Sequence, residues 1–188
     1  MSGPLYAGAI VVAFGAGLSF ASLPAFHRPH RAVARGGTGR ILLPFTGTSI
    51  SRRSFEAAVR LARAENATIM PVFLAQVPRR LPLDAPLPNQ CLRSMPLLEA
   101  IEQRALAEGV DVDSRVGRGR TYRDALRRLI AEEPVDRIIV STTGRPRTGL
   151  SDSDLQWLLQ KAPAEIVILR PDAEDRGTIG AEAIEGHF

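Results

Sequence analysis

RILLPFTGTSISRRSFEAAVRLARAENATIMPVFLAQV, residues Arg40 to Val77, decides the fold. Its first six residues, Arg40 to Phe45, make a short apolar run of the kind that forms a buried strand. Ser51 to Ala64 follows with Phe55, Ala58, Val59, Leu61 and Ala62 at helical spacing. Ala67 to Gln76 is then a second apolar strand, in spite of Pro71. Strand, helix and strand in succession are the unit from which parallel sheets are built, through a right-handed crossover.

The same alternation continues outward. Val77 to Gln90 carries four prolines and reads as an irregular loop. Cys91 to Glu108 has a helical pattern through Leu97, Leu98, Ile101 and Leu106, closed by Gly109. Val110 to Val116 (VDVDSRV) alternates as a half-exposed strand, and Thr121 to Glu133 is a helix stopped by Pro134. Asp136 to Ser141 is a buried strand, a helix runs from Asp152 through Lys161, and Ala164 to Arg170 is the last strand. Five strands and four helices predict an α/β domain over residues 39–171: an open, five-stranded parallel sheet, doubly wound. Ligands of such sheets sit beyond the carboxyl ends of the strands, where the strand order reverses. Residues 172–188 read as a polar, acidic, disordered tail.

The chain has 188 residues, a net charge of +4 and a sharply uneven distribution of polarity. Residues 1–26 contain no Asp, Glu, Lys, Arg or His. Leu5 to Phe26 as a helix is about 33 Å long, enough for a hydrocarbon core of about 30 Å. The MSGP start lacks the positive n-region of a cleaved signal, so the reading is a single transmembrane anchor. Arg28, Arg31, Arg35 and Arg40 follow the span, in and just after a basic linker of residues 27–38. Positive flanks stay inside, which predicts an external N-terminus and a cytoplasmic domain at the cell membrane. Ala9, Ala13, Gly17 and Ala21 recur every four residues and would line one helix face, where another helix can pack closely.

The quoted stretch, together with VGRGRTYRDALRRLIAEEPVDRIIVSTTGRPRTGLSDSDLQWLLQKAPAEIVILRP up to Pro171, resembles the universal stress protein family. The first strand with its loop, the strand DRIIVS, the helix ending in KAP and the final VILRP strand follow in the family's order. The resemblance implies a nucleotide site in members that carry G-x2-G-x9-G-[ST] after the fourth strand. Here Ser141 stands at the first glycine, Gly144 at the second, and Asp152-Ser153 at the closing pair, with a shorter loop. Thr46 stands where those members have an aspartate. The implied, degenerate site therefore comprises Thr46, Val72, Ser141, Thr142, Gly144, Arg145, Arg147, Asp152 and Ser153. Arg118 and Arg120 are read as loop residues at the same sheet edge. The family also pairs through its last strand, so Ile166, Val167, Ile168 and Leu169 are the expected dimer edge.

Catalysis is not expected. FTGTSIS lacks the paired glycines and aspartate of a pyrophosphatase loop, and no G-x-S-x-G elbow occurs. His27 and His30 lie in the linker and His187 in the tail, outside the domain. Cys91 is the only cysteine, so no disulfide and no cysteine-based metal site is expected, and no metal site is assigned. Basic residues are not interleaved with aromatics, which argues against nucleic acid. The expectation is a membrane-tethered regulatory or interaction domain without a cofactor, either a homodimer or an accessory subunit of a larger integral membrane complex, with membrane lipid around its anchor. The alternative is an ATP-binding stress sensor with weak or no ATPase activity.

Overall fold

Apolar residues on both sides of a strand require cover on both sides, and the chain supplies it with two helices per face. The computed structural model describes residues 39–142, 150–170 and 178–180. The central sheet contains β1 (Arg40–Phe45), β3 (Thr68–Gln76), β4 (Arg115–Gly119), β5 (Arg137–Ser141) and β6 (Glu165–Leu169). All pairings are parallel and the order is β4-β3-β1-β5-β6. Chain order therefore reverses between β1 and β5, as the doubly wound reading requires.

Alternation along β1 divides the core. Ile41, Leu43 and Phe45 face α1 (Arg52–Glu65) and α2 (Pro88–Ala107), meeting Phe55, Ala58, Leu97, Leu98 and Ile101. Leu42 points the other way, toward α3 (Tyr122–Glu132) and α4 (Asp152–Lys161), among Leu126, Leu129 and Leu158. Ser51 caps α1 by accepting from the Ser54 N–H, and Asn66 ends it in the left-handed region at φ 51°.

Three expectations are corrected. The strand expected over Val110 to Val116 lies later: Val112 makes only an isolated bridge to Ile69, and the ladder with β3 begins at Arg115. Pro71 supplies the reason. The Ile69 N–H faces this side and donates to Asp111, so two residues on Pro71 has no N–H to give. The ladder breaks there and resumes past it. Arg118 is therefore a strand residue, with Arg120 directly after it, and not part of a free loop. Second, α2 starts at Pro88, three residues before the expected Cys91, because proline suits a helix's first position. Third, the acidic tail contributes β7 (Thr178–Gly180), antiparallel to β2 (Ser49–Ser51) directly after β1. The expected anchor, its small-residue face (Ala9, Ala13, Gly17, Ala21) and the linker lie outside the described residues. Among the described residues no helix is long and apolar enough to cross a membrane.

Candidate functional site at the strand-order reversal

The carboxyl ends of β1 and β5 bring Thr46 and Ser141 to the switch point. Thr46 is buried, at 9% exposure, just before Gly47, whose φ of 78° suits glycine at this turn. Ser94 of α2 donates its hydroxyl to the Gly47 carbonyl at 3.0 Å and fixes the loop. Ser141 points to the same face as Ile139, toward α1. Its Oγ is enclosed and has no hydrogen-bond partner among the described residues. A buried hydroxyl left without a partner is uncommon and marks where a polar group would be welcome. The next residue, Thr142, is tied back by its N–H to Leu169 at 2.9 Å.

Other expected site residues fall elsewhere. Val72 sits mid-strand, fully buried among Met70, Leu74, Val140 and Leu158. The residues of β3 that reach the carboxyl edge are Ala75 and Gln76. Gly144, Arg145 and Arg147 lie outside the described residues.

Asp152 and Ser153 open α4, where a phosphate would use the positive end of the helix dipole. That end is already occupied from within. Ser151 accepts from the Asp154 N–H at 3.3 Å, and Asp154 accepts from the Ser151 N–H at 3.1 Å, a complete capping box. Arg123 of α3 then donates to Asp154 at 3.0 Å and to Ser153 Oγ at 2.9 Å. Two carboxylates in the first turn, Asp152 and Asp154, complete the electrostatic match to the dipole.

Arg118 and Arg120 stand at the far side of this edge, and Nη1 of each is engaged by backbone carbonyls. Arg120 Nη1 reaches the carbonyls of Pro78 at 2.5 Å, Leu81 at 2.8 Å and Val77 at 3.3 Å. Arg118 Nη1 reaches Asp84 at 2.9 Å and Ala85 at 3.4 Å. Gln90 adds a side-chain amide that pairs with both backbone groups of Gln76, as a neighbouring strand would. The proline-rich loop is thus pinned to the end of β3 and β4. No sequence pattern points to this beyond two arginines two apart after a glycine.

Asp124 closes the turn into α3. The Arg120 backbone N–H, with the guanidiniums of Arg127 and Arg128, holds its carboxyl below the usual range, against the opposing effect of burial. No group of three or more His, Cys, Asp or Glu suited to a metal occurs among the described residues.

The strand order defines an open, doubly wound α/β domain whose order reverses between β1 and β5. A family model described as the universal stress protein family matches residues 37–170, and the chain belongs to that family. No curated protein is similar enough in sequence to serve as a relative. Among solved structures, a universal stress protein from Archaeoglobus fulgidus in complex with dAMP is 14% identical, with a TM-score of 0.56 over 71% of this chain and 98% of that one. A family protein from Arabidopsis thaliana with AMP bound is 13% identical, with a TM-score of 0.52 over 72% and 94%. A universal stress protein in complex with cAMP is 21% identical, with a TM-score of 0.51 over 72% and 98%. At these identities the likeness is one of fold.

Proposed function

We propose that the chain is a membrane-tethered regulatory or interaction domain of universal-stress type, without catalytic activity, held at the cytoplasmic face by the apolar segment of residues 5–26. It works as a homodimer or as an accessory subunit of a larger integral membrane complex. The observation that carries this reading is the self-capped start of α4. The helix end that would hold phosphate is filled by Ser151, Asp154 and Arg123, and a carboxylate stands at Asp152. The open edge strand β6 supports the pairing part. Among the described residues it is bonded on one side only, to β5, and Ile168 is 39% exposed. The small-residue stripe Ala9, Ala13, Gly17 and Ala21 supports contact within the membrane.

A second reading, an adenine-nucleotide sensor, is favoured by one observation: the unpartnered Ser141 Oγ at the switch point. The three solved relatives with bound adenine nucleotides lend it weight. One experiment separates the two. The full chain is purified from membranes in mild detergent, and the eluate is analysed for protein stoichiometry and extracted nucleotide. A second copy or a stoichiometric membrane partner without nucleotide supports docking. Equimolar adenine nucleotide would overturn it in favour of the sensor.

A further inference from the structure

Because the sheet is parallel, every strand starts at one edge, and α3 and α4 both end there. Gly39 enters β1 at this edge, so the apolar N-terminal segment is joined to it through residues 27–38 alone. Twelve residues span at most about 40 Å, so under the tethered reading this edge stays within that distance of the bilayer.

A groove of about 190 Å³ opens at the same edge between the carboxyl halves of α3 and α4. It is lined by Arg127, Ile130, Ala131, Trp157, Lys161 and Pro163. Trp157 is half-buried, with one side packed against the α3–α4 core and the other on the groove. Lys161 is exposed and has no ion pair among the described residues. Arg127 and Arg128 share one carboxylate, Asp124. Of the carboxylates elsewhere on the edge, Glu133 is engaged by Arg40 and Arg115, and Glu65 and Glu165 by Arg137, while Glu132 at the end of α3 is exposed. The groove thus combines an amphipathic aromatic, an apolar floor, an unpaired Lys161 and an Arg127 that shares its carboxylate with Arg128.

We infer that this groove is a contact surface for an anionic lipid bilayer, with Trp157 at headgroup depth and Lys161 and Arg127 on lipid phosphates. The inference rests on the membrane-tethered reading and adds an orientation to it: the amino edge of the sheet faces the membrane and the switch point faces away. Tryptophan favours the interface between headgroup and chain. Each cation at an anionic leaflet strengthens such contact by roughly fivefold.

Trp157 is the only tryptophan, so its fluorescence reports this groove alone. The full chain is reconstituted into vesicles of phosphatidylcholine, with and without phosphatidylglycerol, carrying lipids brominated near the headgroup. Flotation after an alkaline wash reads the tether, and bromine quenching of Trp157 reads the groove. The expected result is flotation with both lipids, with quenching about twofold stronger on the anionic one. The double variant Arg127→Gln, Lys161→Gln should still float, keep its circular dichroism and lose that excess. A chain that fails to float overturns the tether and the groove contact together. A chain that floats without quenching, or with equal quenching on both lipids, overturns the groove contact alone. So does blue-shifted emission without quenching, which would mark a protein at Trp157.

Discussion

At the amino edge of the sheet Arg40, Arg115 and Arg137 face carboxylates, whereas at the carboxyl edge Arg118 and Arg120 face backbone carbonyls. The difference is physical as well as chemical. Ion pairs between partly exposed side chains are screened and individually weak. A guanidinium that bridges several carbonyls of one loop holds that segment of chain in one shape. The amino edge is therefore a charged, exchangeable surface, and the carboxyl edge is a fixed frame around the switch point. Close backbone packing follows the same division. A Cβ on Gly119, at the carboxyl end of β4, would lie 2.2 Å from the Ala125 nitrogen, whereas one on Gly39 would meet Ala67 Cβ at 3.4 Å.

The largest test of this contrast is Gly119→Ala. Its clash is with backbone, so a loss of about 3–5 kcal/mol in urea unfolding is expected. Gly39→Ala should stay within about 0.5 kcal/mol, and similar losses for both would abolish the distinction. Arg120→Ala comes next, at about 2 kcal/mol. Amide exchange over Val77–Leu87 should accelerate selectively, and an unchanged loop would mean that the prolines alone hold it. Asp154→Ala removes half of the capping box and should cost about 1 kcal/mol. It should also raise affinity for inorganic phosphate at α4 if self-capping is what closes that end; calorimetry on the purified variant reads both. The smallest effect is a pH dependence. Asp124 has its folded pKa depressed, so its contribution is present above the ordinary aspartate value of about 4. It is lost as pH falls through that value toward the lower folded one. Asp124→Asn should flatten the stability profile in this acid window and leave neutral pH nearly unchanged, as followed by thermal melts across pH.

Elements with a local cause were legible in the sequence. RILLPF and RIIVS are unbroken apolar runs and appear at nearly their expected bounds, and α4 begins after its capping serine. β4 was not legible, because its cause is remote. RVGRG has little strand propensity; it pairs because β3 offers a free ladder beyond Pro71, and its glycines admit α3. VDVDSRV has the better alternation and lies opposite the one residue that has no N–H to share. At the site, the family spacing led to Thr46, Ser141, Asp152 and Ser153, which do reach the carboxyl edge. It also led to Val72, which is core. Asp154 and Arg123, which decide what the α4 terminus can accept, escaped notice, because an Asp three residues after a serine reads as an ordinary cap until its partner on α3 is seen. β2 and β7 are three residues each, too short for any periodicity to register.

The break opposite Pro71 has a last consequence, for assembly. The outer strand on that side follows a broken ladder and carries glycine and arginine, a poor template for a further strand. β6, on the other side, is continuous and aliphatic. A sheet receptive on both flanks can add copies without end, as fibres do. One receptive on a single flank can join one copy of itself about a twofold axis, and the assembly is then closed.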